Sequence, residues 1–438
     1  MLPKIGCLHD RHGDGVLNRR ALAILFMTLF LLMLGVGIII PNLAYRAQAL
    51  RASALQISLL FTLYSLMQFL CAPFWGRFSD RAGRKPVLLL GLFGNAAGLA
   101  LYGVSSTLPM LYAARALSGL MSSAALPSAM AYVADVTDDK SRGRGMGYLG
   151  AAMGLGFIFG PALGGLLSRF GHGVPFLAAA ALNLLTCLLA GLLLRESLGA
   201  RVSPDDAPPA ETGVAAAVPG LAEAPIAIDT GVGRPWPSRA LGSPLLPFYL
   251  VAFFVTFAMA ALESVFPLFI QERFGFGAHD MGAMFLFMGT AVFLVQGILL
   301  GRLIQWMGEE NVMLSGLMVN ALGFLLVVAA SGRISLTAAL LVSGVGNQVM
   351  RPTNASLITK RTTRGRGAAI GIMDSFDSAG RILGPIVAGS LYGTSPTYPY
   401  LVSAAILVAA GSGLWLHRRA RGIGPDSGAG TVSSSDVP

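Results

Sequence analysis

Twelve runs of about 20 mostly apolar residues follow one another along this chain of 438 residues, and they limit its possible folds more than any other feature. A helix of about 20 apolar residues crosses a bilayer, and it satisfies its own backbone hydrogen bonds there. The predicted spans cover approximately residues 21–40, 55–75, 87–105, 109–133, 146–167, 174–194, 244–270, 281–301, 311–331, 335–357, 367–391 and 398–417. The sequence therefore predicts an all-α membrane protein with twelve transmembrane helices.

The composition excludes several other classes of protein. Charged residues make up 12% of the chain, whereas soluble domains carry roughly 25%, so a water-soluble enzyme and a disordered chain are excluded. The three cysteines, Cys7, Cys71 and Cys187, give neither a disulfide framework nor a metal-binding spacing. The apolar runs lack the alternation of a membrane β-barrel. The first run is longer than the roughly 7–15 residues of a signal-peptide core, so we expect it to be a retained helix.

The basic residues fall mostly on one side of the predicted spans. Of the 31 Lys and Arg residues, 23 lie in the two tails, the linker and the loops that share their side, and only 5 lie in the opposite loops. The positive-inside rule therefore predicts that both termini are cytoplasmic. Topology accounts for the net charge of +10, so we expect the lipid bilayer and no nucleic acid as a partner. Only four basic residues are Lys, which favours a GC-rich bacterial source and hence the bacterial inner membrane.

One long polar stretch separates the sixth span from the seventh. Residues 195–243 contain Pro-Asp-Asp-Ala-Pro-Pro and almost no aromatic residues, which is typical of a flexible linker. It leaves no room for a sizeable folded sensor domain. The expected organisation is a cytoplasmic tail, a six-helix bundle, a cytoplasmic linker, a second six-helix bundle and a cytoplasmic tail, at residues 1–20, 21–194, 195–243, 244–417 and 418–438.

The two predicted bundles repeat one another at an offset of 222–225 residues. The matching positions include Gly76 with Gly301, Gly83 with Gly308, Ser118 with Ser343, Gly119 with Gly344, Pro127 with Pro352, Arg142 with Arg364, Gly160 with Gly384, Pro161 with Pro385, and Gly165 with Gly389. A parallel repeat of two six-helix units is typical of transporters that bind a small molecule near the middle of the membrane. We therefore expect two six-helix pseudo-repeats with a small-molecule substrate between them.

A basic, glycine-containing loop follows the second span. Its residues with an expected role as a cytoplasmic gate are Gly76, Asp80, Arg81, Gly83, Arg84 and Lys85. Glycine permits a tight turn between helices, and a carboxylate can accept hydrogen bonds from a helix N-terminus or pair with an arginine. We expect Asp80→Asn to impair transport, and Arg84→Ala to be milder because Arg81 and Lys85 lie close by. A loop that only fixes the topology is the alternative.

These motifs resemble the major facilitator superfamily over nearly the whole chain, apart from the linker and the tails. The loop at residues 76–85 resembles its signature loop, with Phe78 in place of Leu, and Arg115 with Gly119 resembles its fourth-helix motif. Residues 131–135, Glu196 and Ser197 are similar to the tetracycline-efflux-like group of twelve-helix drug:proton antiporters. The fifth-helix motif of the antiporters is matched by Gly156, Gly160, Pro161, Gly164 and Gly165.

The resemblance implies a secondary active transporter that exports small, partly apolar compounds in exchange for protons by alternating access, and so contributes to multidrug resistance. It implies a monomer with no catalytic residue, no metal and no cofactor, with the proton as coupling ion. A metabolite symporter or facilitator of the same fold is the alternative. A non-transporting receptor or membrane enzyme is a remote one, because no nucleophile constellation or phosphate-binding loop is visible.

The fifth-helix motif also has a direct physical interpretation. Gly160, Gly164 and Gly165 form a small-residue ridge that permits close helix packing, and Pro161 bends the helix. Packing alone and a role in gating both fit this pattern. The resemblance implies that the bend prevents leak and sets the direction of exchange.

Six charged residues are predicted to lie inside the membrane, where charge is costly and usually faces a partner or a cavity. The expected coupling and substrate residues are Arg115, Glu263, Arg351, Asp374, Asp377 and Arg381. Asp377 and Arg381 are four residues apart on one helix, so they can neutralise each other. Asp374 lies one turn nearer the cytoplasm and is expected to line the inner vestibule. Arg351 can pair with Glu263 or Asp377, or it can bind an anionic substrate.

We expect the proton acceptor in the second half of the chain. Related antiporters often carry an acid in the first helix, at the position of Leu32. Glu263 has no basic residue within one helical turn, and burial in an apolar cavity favours the neutral form of a carboxyl group. The sequence therefore favours Glu263 as the proton acceptor and Asp377 as the next candidate. An interfacial carboxylate is the alternative for Glu263.

Overall fold

The computed structural model describes residues 13–136, 139–194, 196–197, 245–362 and 366–420. The described part of the chain is helical, without a β-strand, and we number its helices α1 to α12. The N-terminal half contains α1 (Gly13–Ala49), α2 (Ala54–Ala82), α3 (Arg84–Val104), α4 (Leu108–Val136), α5 (Asp139–Leu167) and α6 (Val174–Leu193). The C-terminal half contains α7 (Leu246–Phe274), α8, α9 (Glu309–Ala329), α10 (Arg333–Arg361), α11 (Arg366–Tyr392) and α12 (Tyr398–Ala420).

Helix α8 differs from the others because it changes its winding. It begins as an α-helix at Ala278–Leu294, passes through a π-helical turn at Val295–Leu299 and ends as an α-helix at Leu300–Met307. A π turn contains one more residue per turn than the surrounding helix, and such turns often mark functional sites.

The lengths and composition of the helices confirm an all-α membrane protein. Nine helices within the described residues are long and apolar enough to cross a membrane. The other three are α8, which the π turn divides, and α10 and α11, which carry Arg351, Asp374, Asp377 and Arg381. These charged side chains reduce the apolar character of α10 and α11 in the segments where the protein has its cavity.

Several helix boundaries extend beyond the predicted spans. Helix α1 begins at Gly13 rather than at residue 21 and contains 37 residues, so it is about 55 Å long, whereas the hydrocarbon core is about 30 Å thick. The predicted flexible linker lies outside the described residues, apart from Glu196 and Ser197 at its start. Residues 1–12 and 421–438, in the predicted tails, also lie outside them.

Two tight turns reproduce the internal repeat in the backbone. Gly83 separates α2 from α3 with a φ of 103°, and Gly308 separates α8 from α9 with a φ of 77°. A side chain is strained at positive φ, so both turns favour glycine. The two glycines are 225 residues apart in the chain, and therefore the sequence repeat corresponds to a structural one.

The small-residue ridge of α5 packs against two different helices. A Cβ atom at Gly160 would lie 2.6 Å from the Cα atom of Gly37 on α1, and one at Gly165 would lie 2.7 Å from the carbonyl oxygen of Ala278 on α8. The first contact joins two helices of the N-terminal half, and the second joins the two halves. The ridge thus packs within the N-terminal half and also forms part of the interface between the two halves.

The C-terminal half repeats this arrangement. Gly384 on α11 lies against the backbone of Phe257 on α7, and a Cβ atom at Gly389 would lie 2.9 Å from the Cα atom of Leu55 on α2. Gly384 and Gly389 are the repeat partners of Gly160 and Gly165. The halves are therefore joined by two equivalent contacts, α5 with α8 and α11 with α2.

We predict that Gly160→Ala destabilises the protein. The added methyl group has no space beside Gly37, and overpacking of this kind costs about 1–3 kcal/mol of folding free energy. Gly154 on the same helix has no neighbour within 4 Å of an added Cβ atom, so Gly154→Ala is the matched control. Thermal unfolding of the detergent-solubilised proteins should show a lower melting temperature for Gly160→Ala alone. Equal melting temperatures for the two variants would contradict the packing described here.

Candidate functional site

One cavity lies between the two halves, and its two walls differ in charge. It encloses about 890 Å³ including its open mouth. The wall from the N-terminal half is uncharged and consists of Ser65, Gln68, Phe69, Ala72, Pro73, Gly76 and Pro127. The wall from the C-terminal half consists of Arg351, Gly371, Asp374, Ser375, Asp377, Ser378 and Arg381. A molecule in this cavity therefore meets an uncharged surface on one side and a charged one on the other.

The cavity occupies one end of the bundle. We name the ends after their turns, the α1–α2 end and the α2–α3 end. The residues of α2 that line the cavity, from Ser65 to Gly76, extend from the middle of the helix towards Ala82. Those of α11, from Gly371 to Arg381, extend from near its start at Arg366 to its middle. Both segments belong to the α2–α3 end. Close contacts between the halves, such as Gly165 with Ala278 and Gly389 with Leu55, lie at the α1–α2 end.

Arg351 lies between two carboxylates on the charged wall. Its guanidinium nitrogens are 3.4 Å from Oδ1 of Asp374 and 3.5 Å from Oδ2 of Asp377. The hydroxyl of Thr256 on α7 donates a hydrogen bond to Oδ1 of Asp377 at 2.7 Å. The Nε atom of Arg351 and Oδ2 of Asp377 are buried, and neither makes a hydrogen bond within the described residues. Because hydrogen-bonding capacity is left unused in this buried ion pair, the carboxylate can exchange Arg351 for a proton or a bound cation.

This geometry corrects one interpretation and selects among others. Asp377 forms its salt bridge with Arg351 on the neighbouring helix α10, rather than with Arg381 on its own helix. Of the partners considered for Arg351, the structure places Asp377 beside it and adds Asp374. The sequence could not show this because the approach of α10 to α11 decides it.

Arg381 and Glu263 lie further from the α2–α3 end. Arg381 lines the cavity with an exposed side chain. Glu263 on α7 is not among the lining residues, but Arg381 and Arg115 both act on its carboxylate electrostatically. Arg115 belongs to the N-terminal half and Arg381 to the C-terminal half. One arginine from each half thus acts on Glu263, and one of the two, Arg381, also lines the cavity.

Arg115 is held by aromatic rings and a backbone carbonyl. Its guanidinium carbon is 4.1 Å from the centre of the Tyr64 ring and 5.9 Å from that of Phe61, and its Nε atom donates to the carbonyl of Leu60 at 3.3 Å. All three partners belong to α2. A planar guanidinium stacks on an aromatic ring, whereas an ammonium group does not.

Arg84 is the centre of the predicted gate loop. It lies 2.6 Å from Asp80 and 3.3 Å from Asp135 at the end of α4. Its side chain is 15% exposed, and that of Asp80 is 51% exposed. Arg81 is exposed, and the Nζ atom of Lys85 donates to the carbonyl of Leu194 at 2.7 Å, so neither occupies the position of Arg84. Because neither neighbour makes the contacts of Arg84, we expect the loss of Arg84 to be more severe than the sequence suggested.

Glu196 has a structural role that the sequence did not assign. Its carboxylate accepts hydrogen bonds from the backbone N–H groups of Arg84 and Lys85, at 2.9 and 3.2 Å. These groups begin α3, and a helix N-terminus favours a negative charge. The sequence signals were an acid directly after the sixth span and the similarity of Glu196 and Ser197 to the tetracycline-efflux-like group, and neither pointed to this contact. Thr256 gave no signal, because threonine is common in apolar helices.

We predict that Arg84→Ala reduces transport by at least about ten-fold, because removing one partner of a partly buried charge network costs several kcal/mol. Arg81→Ala removes the same charge from the same loop without breaking the network, so its transport should stay near that of the wild type. Transport rates in membrane vesicles, normalised to the amount of inserted protein, measure both. Equal losses in the two variants would show that the net charge of the loop matters and its geometry does not.

We also predict that Arg115→Lys loses transport although it keeps the charge. Lysine cannot stack its head group on Tyr64 and donate to Leu60 in the same geometry. Tyr64→Phe keeps a ring beneath Arg115 and serves as the control. Rates at matched expression should fall for Arg115→Lys and remain close to the wild type for Tyr64→Phe. A fully active lysine variant would exclude a role for the planar group.

The described residues contain no cluster of three or more His, Cys, Asp or Glu side chains suited to a metal ion.

The comparisons with known proteins agree with one another. The family model described as Major Facilitator Superfamily matches residues 25–361 and, in a second match, residues 297–435. Multidrug resistance protein 1 of Bacillus subtilis is 29% identical over 390 residues, which cover 88% of this chain and 93% of that protein.

Two further similarities agree with this match. The class C tetracycline resistance protein of Escherichia coli is 29% identical over 420 residues, covering 91% of this chain and 98% of that protein. The crystal structure of the human organic anion transporter MFSD10 superposes with a TM-score of 0.63 at 24% identity, covering 91% of this chain and 99% of that one. The structural likeness establishes the fold.

Proposed function

Because this chain belongs to the major facilitator superfamily, whose members are transporters, we propose that it exports small, partly apolar organic cations in exchange for protons. The observation that carries the proposal is the charged wall of the cavity, opposite an uncharged wall that includes Phe69 and Gln68. The uncharged wall suits an apolar body and the charged wall suits a cationic group. Relatives named for multidrug and tetracycline resistance support export of such compounds.

The net charge of the residues around the cavity explains why proton binding and cation binding oppose each other. Arg351 and Arg381 face Asp374 and Asp377 on the wall, and Glu263 adds a third carboxylate through Arg381. These five residues carry one net negative charge with Glu263 ionised and none with Glu263 protonated, when Arg381 is released from its counter-charge. Arg115 acts on Glu263 from the N-terminal half and adds the same positive charge to both states. Proton binding therefore weakens cation binding, as antiport requires.

The size of this effect is sufficient for coupling. Two unit charges separated by about 10 Å interact by about 1.7 kcal/mol at an effective dielectric constant of about 20. That free energy corresponds to an affinity change of roughly 18-fold. By linkage, the bound cation lowers proton affinity at Glu263 by the same factor. Typical coupling free energies between two sites are of this order.

The orientation follows from the positive-inside rule. We place both termini and the α2–α3 end on the cytoplasmic side of the bacterial inner membrane, with the protein as a monomer. The cavity then faces the cytoplasm, where a substrate for export is collected, and the contacts at the α1–α2 end close the outer side. Rocking of the halves about these contacts would carry the site outward.

Inverted membrane vesicles test the function directly. With an acidic interior established by respiration, addition of a lipophilic cation such as ethidium should release protons from the vesicles, and a pH-sensitive dye should report the partial loss of the gradient. Vesicles from cells that lack the protein are the control. Substrate-dependent acidification of the interior would indicate a symporter, and the absence of any proton movement would indicate a facilitator.

We predict that Glu263→Gln abolishes uphill transport but retains exchange between equal pools of substrate. The neutral side chain imitates the protonated state permanently, so proton binding can no longer drive the cycle. Glu272→Gln changes an exposed acid at the end of the same helix and is the matched control. Accumulation against a gradient and equilibrium exchange are measured over the same pH range in proteoliposomes.

The variant Asp377→Asn distinguishes between Glu263 and Asp377 as the proton acceptor. If Asp377 only binds the cation, this variant has a weaker apparent substrate affinity but normal pH dependence. Normal uphill transport by Glu263→Gln together with loss of pH dependence in Asp377→Asn would transfer the proton acceptor to Asp377. The proposed function would survive that result, and the assignment of Glu263 would not.

A further inference from the structure

A polar contact joins the two halves at the α1–α2 end, away from the cavity. Arg169, in the short 3₁₀ turn after α5 (Ser168–Phe170), lies with its Nη2 atom 2.5 Å from the Nε2 atom of His279 on α8. Arginine carries only donors. The contact is therefore a hydrogen bond only when Nε2 of His279 is unprotonated and accepts it. Addition of a proton to His279 removes the acceptor and places two positive charges in contact.

Within the described residues, the acid next to His279 in the chain already has partners of its own. Asp280 is its neighbour in the chain, but its Oδ1 atom pairs with Arg333 of α10 at 2.8 Å and its Oδ2 atom accepts from the backbone N–H of Gly277. From α1, the phenol of Tyr45 donates to the carbonyl of Phe276 at 3.2 Å. The groups around His279 thus carry one net positive charge before it is protonated and two afterwards.

The contact coincides with the packing that closes this end of the protein. An added Cβ atom at Gly165, four residues before Arg169, would lie 3.1 Å from the Cα atom of His279. Repulsion between Arg169 and a protonated His279 therefore acts beside a close contact between α5 and α8. Arg169 is exposed and His279 is half-buried, so both are accessible to the solution at this end.

We propose that Arg169 and His279 form a pH-sensitive latch that holds the α1–α2 end closed when this side is neutral and releases it when this side is acidic. Neutral His279 accepts the hydrogen bond from Arg169 and protonated His279 cannot, so acid on this side opposes the contact. The proposal depends on the proposed function only for the side of the membrane that this end faces. It depends on neither the substrate nor the proton acceptor.

The latch would make opening of the outer side depend on the pH of that side. Acid on the outer side would open that side when protons are available to enter and when the release of substrate can be completed. This control differs from coupling at the cavity, because it changes the population of the open state and not the affinity for substrate.

Distance measurements between spin labels test the latch. Cys7, Cys71 and Cys187 are replaced by serine, and nitroxide labels are attached at Ser106→Cys in the α3–α4 turn and Ser331→Cys in the α9–α10 turn, which are exposed at this end in opposite halves. The protein is placed in nanodiscs, so that both sides share one pH. From pH 8 to pH 5 we expect the population with the longer distance to rise at least about five-fold.

Four variants make the result specific. His279→Gln keeps an acceptor for Arg169 without a titratable group, and Arg169→Gln removes the repelling charge, so both should abolish the response to pH. His172→Gln changes an exposed histidine in the neighbouring turn, and Glu263→Gln changes the proposed proton acceptor; both should retain it. Melting temperatures confirm that each variant is folded.

The outcomes are distinct from those of the transport tests. A wild-type distance distribution that does not change with pH would overturn the latch, as would an unchanged response in His279→Gln. Loss of the response in Glu263→Gln would assign the pH dependence to the cavity instead. A latch that behaves as expected in a protein that moves no protons would leave the latch in place and refute the proposed antiport.

Discussion

Direct contact between helix backbones at glycine is the interaction on which the rest of this structure depends. Lipid tails are as apolar as leucine, so burial alone does not hold membrane helices together, and close packing must contribute instead. Gly160 and Gly384 join helices within each half, whereas Gly165 and Gly389 join the halves to each other. The interface between the halves is therefore made of small, smooth surfaces at one end. Such surfaces can separate without breaking many polar contacts, and they leave the other end free to contain a cavity.

The charges are distributed unequally over this symmetric framework. The backbone repeats itself between the halves, but every charged residue that lines the cavity belongs to the C-terminal half. Leu126 is the repeat partner of Arg351, so the duplication did not impose a charge at both positions. One half thus provides an uncharged surface and the other provides the charged groups. Arg351 is stabilised between Asp374 and Asp377, and this arrangement allows three charges to remain together at low exposure.

The sequence predicted the fold in more detail than the site, for a physical reason. A span must be apolar over about 20 residues whatever its neighbours are, so a linear pattern is enough to find it. The repeat likewise places Gly83 with Gly308 before any coordinates are known. A salt bridge depends on which helices approach one another, and the local spacing of Asp377 and Arg381 suggested the wrong partner. The contact between Arg84 and Asp135 was not predicted for the same reason, because Asp135 lies 51 residues away in the chain.

The π turn in α8 has a counterpart in α2. Pro73 lies 225 residues before Ile298, so the repeat position of this proline falls inside the turn at Val295–Leu299. In α2 this position holds a residue that cannot donate a hydrogen bond, within a helix that continues from Ala54 to Ala82. In α8 the winding changes through one surplus residue. The two solutions differ in how they tolerate genetic change. A substitution can remove the proline, whereas only a deletion can remove the surplus residue, and it would rotate Leu300–Met307 by about 100° relative to the helix before it. The interruption in the second half is therefore protected from point mutation.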